Sequence, residues 1–262
     1  MQDRLQWMRM QPSRWVDWMP LCGGLQAHAM VRERYPQAKT WLVEATSVRA
    51  RAARQALQAP WWQRWLGRDR LQADAPQPGQ AQMLWANMAL HETHDPVALL
   101  RQWHELLAVD GFVMFSCLGP DTLKELHALY AEQGWLPPSH AFTDMHDWGD
   151  MLVQAGFAEP VMDMERLTLT YDSPEKLLAE LRGLGRNLHQ ARFAGLHGRR
   201  WHSQLLRSLE SLRRSSDGRL ALTVEVIYGH ALKPLPRAKI APQSTLSLQD
   251  MRAILTQTQP RK

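Results

Sequence analysis

An α/β fold, a mostly parallel sheet covered by helices on both faces, is what this 262-residue sequence predicts. Three observations carry that prediction. Apolar runs of strand length recur at residues 14–19, 40–43, 82–90 and 112–115, separated by segments long enough for helices. Helix starts are marked by capping residues and prolines, as at Asp95-Pro96 and Ser173-Pro174-Glu175. A glycine turn follows the first run and an acidic residue ends the second, the order found in nucleotide-binding α/β units.

Taken in order, the first strand leads through Pro20-Leu21-Cys22-Gly23-Gly24 into a helix over 26–35 that Pro36 stops. The second strand ends at Glu44, and Thr46 or Ser47 caps an arginine- and alanine-rich helix running to Leu57. Residues 59–67 hold three tryptophans, whose large apolar area favours packing over a lid or a partner surface. A third strand at 71–75 and a fourth at 82–90 are expected from resemblance to a known family rather than from alternation. Asp95 caps a helix to Ala108, Asp110-Gly111 turns, and the fifth strand follows. Asp121 or Thr122 then caps a helix to Gln133. Residues 161–171 and 220–231 alternate well enough to be the sixth and seventh strands.

Composition narrows the function classes. Hydrophobic residues make up 45% of the chain, which argues against global disorder. No apolar run approaches the length of a bilayer span, and the first residues lack a signal-peptide core, so a cytoplasmic location is expected. Two cysteines, Cys22 and Cys117, without metal-ligand spacing, exclude a disulfide scaffold and leave no metal site to expect. The formal charge of +5 attracts polyanions, but no nucleic-acid module is recognisable and no sequence-specific nucleic-acid binding is expected.

The stretch 111–126, GFVMFSCLGPDTLKEL, resembles the region after the fifth strand of the malonyl-acyl-carrier-protein O-methyltransferases of biotin synthesis, where FS-x-x-GPDTL-x-EL recurs. Residues 142–152 resemble that family's F-x-DMHD-x-GD-x-L, and AGFAEPVMDME resembles its AGF-x-x-PVMD-x-E. QMLWANMAL is similar to its fourth strand, and Arg182 to Asn187 fall in its LR-x-x-G-x-N. The resemblance covers nearly all of residues 80–190.

It implies a Rossmann-like, seven-stranded class I methyltransferase sheet with a small insertion after strand five. Residues 1–235 would be the domain, 118–160 and 173–215 its helical cap segments, and 236–262 a polar tail with a short helix near 248–255. It also implies S-adenosylmethionine as methyl donor, and as partner an acidic acyl-carrier protein bearing a malonyl thioester, for which the basic run Arg192, Arg199, Arg200, Arg207, Arg213 and Arg214, otherwise a solvated helix face, is a docking surface. The methylated group is a carboxylate already ionised at neutral pH, so orientation replaces a general base and no catalytic residue is assigned.

Carried over by position, Cys22, Gly23 and Gly24 would form the cofactor loop, Glu44 would accept from the ribose, and Asp74 with Ala75 would hold adenine. Asn87 and Met88 would lie at the ligand end of the fourth strand. His146, Asp147 and Arg182 would meet the substrate, although Asp147 suits a helix cap and Arg182 a salt bridge to Glu180 equally well. The chain departs from the family's acidic residue and G-x-G-x-G: only Gly23 falls on a glycine position, Leu21 and Leu25 occupy the others, and Pro20 lies near the expected acid. The segment ahead of strand one is short for the family. These departures motivate a second reading, a catalytically inactive protein-binding or assembly factor. A third borrows from a mitochondrial assembly factor of the same fold that hydroxylates arginine.

Overall fold

The computed structural model describes residues 1–59, 61–65 and 70–236. Its strands are β1 (Arg14–Trp18), β2 (Lys39–Val43), β3 (Ala81–Ala86), β4 (Leu107–Leu118), β5 (Ala158–Tyr171) and β6 (Leu220–Leu232), in the sheet order β2-β1-β3-β4-β6-β5. The first four are parallel, and β6 runs antiparallel between β4 and β5.

Side chains alternate between two cores. Val16, Leu84, Val113 and Phe115 point to one face, which α5 (Pro96–Leu106) and α7 (Met145–Gln154) cover with Trp103 and Trp148. Trp15, Met83, Trp85, Phe112 and Met114 point to the other, under α2 (Leu25–Arg34) and the 3-10 turn Gln2–Trp7. Burial on both faces is why these strands read as continuous apolar runs.

Among the described residues six strands form where seven are expected. Leu71 makes a single parallel bridge to Thr40 of β2, supported by the Gln72 amide on the Thr40 carbonyl at 2.8 Å, and pairing stops there. The following residues, Ala73-Asp74-Ala75-Pro76, offer little to bury, and the proline has no amide to donate to a ladder. The expected turn at Asp110-Gly111 is a bulge inside β4: Asp110 has φ +62°, and pairing jumps from Ala81↔Leu107 to Met83↔Phe112.

Beyond the pair Leu118↔Val226, β5 and β6 continue together as far as Tyr171↔Leu220. This extension carries a third core in which α6 (Lys124–Glu132), α8 (Pro174–Leu184) and α9 (Arg199–Leu209) pack through Leu129, Leu177, Leu205 and Leu222. We call this lobe the helical cap. Neither Asp121 nor Thr122 caps α6, which starts after Leu123 at φ +60° without a side-chain cap.

The tryptophan segment forms α4 (Trp61–Trp65), but Trp61, Trp62 and Trp65 are 78%, 46% and 84% exposed, which corrects the packing expectation. One short turn after α3 (Ser47–Leu57) lies outside all three cores. Among the described residues no helix is long and apolar enough to cross a membrane. The expected helix near 248–255 lies outside the described residues.

Candidate functional site

Glycine and asparagine meet where β1 and β3 end. After β1, Met19 adopts the left-handed conformation (φ +56°) that a glycine would hold with less strain, and Pro20–Gly23 forms one helical turn, α1. Gly24, at φ +92°, redirects the chain into α2. A side chain at Gly23 is impossible without movement, because its Cβ would lie 2.7 Å from the Asn87 carbonyl oxygen. Asn87 in turn donates through Nδ2 to the Gly23 carbonyl and accepts from the Ser116 hydroxyl at 2.7 Å. The Met88 amide donates to the same hydroxyl at 3.1 Å.

Glu44 closes the other side. Its side chain is fully buried, accepting from the Leu21 amide at 2.8 Å and from Arg49 Nε at 2.9 Å. Arg49 also reaches Cys22 Sγ at 2.8 Å while remaining 40% exposed. Burial pushes the Cys22 thiol up, so it is a packing group rather than a thiolate nucleophile. Cys22, Gly23, Gly24, Glu44, Asn87 and Met88 are thus one connected cluster at the carboxyl ends of β1, β2 and β3.

The remaining sequence-derived positions fall elsewhere. Asp74 and Ala75 are exposed past the single bridge of Leu71 and make no hydrogen bond to the cluster. His146 and Asp147 are exposed in the first turn of α7, and Asp144 is the residue that caps it, accepting from the His146 amide at 2.8 Å. Arg182 is exposed on α8 without an acidic partner among the described residues, so the salt bridge to Glu180 does not form.

Four further residues were not singled out by sequence reasoning. Asp17, two residues before Met19, is the buried acid that precedes the loop; it sits 2.6 Å from His28 Nδ1, and burial raises its pKa. An acid inside an otherwise apolar strand was the signal for it. Ser116 and Arg49 give no local sign of their partners. His91 accepts from the Leu118 amide at 3.4 Å, and burial beside His140 lowers its pKa to about 4.

The GPDTLKE motif has a structural explanation. Gly119 and Thr122 bond the backbone of Glu225 in β6, the Asp121 amide donates to Glu225 Oε2 at 2.9 Å, and Glu125 accepts from the amide and hydroxyl of Thr223. A Cβ at Gly119 would lie 2.6 Å from Glu225 Oε2. The motif is a clasp that fastens the end of β4 to the strand carrying the cap. Next to it lies a cavity of about 250 Å³ walled by Pro120, Asp144, Met145 and Ile227.

A sheet of this order, with polar groups gathered at the carboxyl rim of its parallel strands, is a class I methyltransferase fold. It resembles the crystal structure of a candidate methyltransferase from Bacillus halodurans C-125, with a TM-score of 0.56 and 16% identity, covering 89% of this chain and 99% of that one. No protein-family model matches the chain. It is 39% identical over 251 residues to the malonyl-[acyl-carrier protein] O-methyltransferase of Gallionella capsiferriformans (strain ES-2), covering 90% of this chain and 82% of the relative. To the protein of the same name from Laribacter hongkongensis (strain HLHK9) it is 38% identical over 253 residues, covering 91% and 82%. The chain belongs to the malonyl-[acyl-carrier protein] O-methyltransferase family.

Proposed function

We propose that this protein transfers a methyl group from S-adenosylmethionine to the free carboxylate of a malonyl thioester borne by an acyl-carrier protein. The observation that carries the reading is the Gly23–Glu44–Asn87 cluster at the sheet's carboxyl rim, in a chain that belongs to this family.

The residues fit an adenosyl group. Glu44 follows β2 with a buried carboxylate whose oxygens each accept one bond among the described residues, which leaves lone pairs for ribose hydroxyls once Arg49 moves aside. A Cβ on Gly24 would meet nothing within 4 Å, so space is open beside the loop. Leu25, in place of a family glycine, is 36% exposed at the start of α2. Arg49 is the group that must yield, and its side chain is the exposed, flexible member of the pair.

When bound, S-adenosylmethionine supplies a methyl group on a sulfonium, a leaving group that needs no metal and no acid. The chain's own task is to hold a carboxylate oxygen in line with that methyl and to exclude water, an effect worth up to roughly 7–11 kcal/mol in well-oriented systems. Arg192, Arg199, Arg200 and Arg207 on and before α9 are exposed without acidic partners among the described residues, whereas Arg213 and Arg214 pair with Glu210 and Asp217. These four arginines, without acidic partners among the described residues, support docking of an acidic carrier protein on the cap.

Calorimetric titration with S-adenosylmethionine, followed by mass spectrometry of malonyl-carrier protein after incubation, tests the proposal. Binding and a gain of one methyl group are expected. Absence of binding at millimolar ligand would overturn it and leave the non-catalytic reading.

A further inference from the structure

His91 lies in the 3-10 turn Leu90–Glu92, just after Asn87 and Met88, so the chain delivers it to the carboxyl ends of β3 and β4. Its Nδ1 faces the amide of Leu118, the last residue of β4, at 3.4 Å. An amide only donates, so Nδ1 is unprotonated and the proton of the neutral ring is on Nε2. Burial and the nearby His140 lower its pKa to about 4, so the ring is neutral near pH 7.

The Nε2–H has no partner among the described residues, yet it is not one of the sealed orphan atoms, as His28 Nε2 is. It is therefore a donor open to solvent. The ring is held edge to face against Phe142 with 6.0 Å between centroids, and His140 packs on Phe142 at 4.6 Å. The ring does not itself line the cavity; Pro120 and Asp144, each two residues beyond its neighbours Leu118 and Phe142, form part of the wall.

An acceptor carboxylate must be held yet remain nucleophilic. A cation would stabilise its full charge in the ground state more than in the transition state, where that charge is diminishing; a neutral N–H orients one oxygen with less of this penalty. The cavity's cation, Arg166, is already paired with Asp121 at 2.7 Å and lies 3.5 Å from Glu225, which leaves it little to offer a carboxylate.

We infer that His91 Nε2–H is the neutral hydrogen-bond donor that orients the carboxylate of the methyl acceptor. The inference rests on the methyl-transfer reading above. The ring gains and loses no proton in this role; it binds and orients.

The test compares the whole chain as wild type, His91→Leu and His91→Gln. Each is measured for S-adenosylmethionine binding by calorimetry, and for kcat and KM with a malonyl thioester. Leucine has no donor, whereas glutamine keeps an amide N–H at similar reach. In His91→Leu, cofactor affinity is expected to stay at the wild-type value while kcat/KM for the thioester falls roughly ten- to a hundredfold, the loss of one hydrogen bond to a charged oxygen. His91→Gln is expected to recover most of that activity. Equal losses in both variants, weakened cofactor binding in both, or an unchanged kcat/KM in His91→Leu would assign the ring to packing and overturn the inference. A wild type that binds no S-adenosylmethionine would instead sink the methyl-transfer reading, visible before any variant is measured, and this inference with it.

Discussion

At the end of β1, Gly23 is pressed against Asn87; at the end of β4, Gly119 is pressed against Glu225. Both glycines exist because a strand end approaches another part of the sheet too closely for a side chain. The surroundings differ. Around Gly119 the bonds run to buried groups of β6, and Glu225 is only 3% exposed. Around Gly23 the network includes Arg49, 40% exposed, and a Glu44 carboxylate with unused acceptor capacity. Gly119 is fastened by a backbone bond to Glu225, whereas the Gly23 loop is held by the side chains of Asn87 and Glu44. In the β1 loop the left-handed turns are taken by Met19 and Gly24, so Leu21 and Leu25 need no glycine's conformation.

The strongest way to break this comparison is Gly119→Ala. Its new methyl would lie 2.6 Å from Glu225 Oε2 and 2.8 Å from Glu225 Cγ. We expect a loss of about 3 kcal/mol in denaturant unfolding, the upper range for overpacking, with the cap loosened first by hydrogen exchange. A wild-type midpoint would contradict the clasp.

Acid titration probes His91, which accepts from the Leu118 amide beside the clasp. Its folded pKa of about 4 lies below the unfolded value of 6.5, so the unfolded chain binds the extra proton between these values. The corresponding stability is intact above pH 6.5 and lost as pH falls toward 4, by up to about 3 kcal/mol. In His91→Gln the pH dependence of the unfolding midpoint over that window should become shallower. His104, His127 and His230, whose pKa values burial also lowers, contribute slope of the same sign, and Asp17, whose pKa burial raises, contributes slope of the opposite sign.

Smaller effects separate the ligand loop from the clasp. Glu44→Gln should weaken S-adenosylmethionine binding about tenfold while leaving the cap's hydrogen exchange unchanged. Ser116→Ala removes the donor to Asn87 and the acceptor of the Met88 amide, and should cost about 1–2 kcal/mol of stability. Arg199→Ala with Arg200→Ala should change stability by less than about 0.5 kcal/mol. That pair should slow association with malonyl-carrier protein at low salt, and the difference should fade as salt rises.

Much of the fold was legible from local signals. Thr46, Asp95 and Ser173 cap the helices expected of them, because a capping side chain bonds an amide only three residues away. The strands buried on both faces announced themselves as apolar runs. In the candidate site, Gly23 and Glu44 were reached from a pattern of turn and acid, and Asn87 from the family resemblance. Local signals failed where a neighbour from elsewhere intervened. Thr122 reads as a helix cap but spends its hydroxyl on Glu225, and the tryptophans of α4 read as core but have no core to join.

What the sequence by itself determined is therefore the kind and order of elements, the two-sided burial of the sheet and the family, since periodicity, caps and motif identity are all short-range properties of the chain. Only the tertiary structure decided which polar groups face one another. Leu21 meets Glu44 across 23 residues and Asp121 meets Glu225 across 104, and no local preference encodes such a pairing. Those encounters follow from how the sheet is ordered. They decide which backbone amide each buried carboxylate holds.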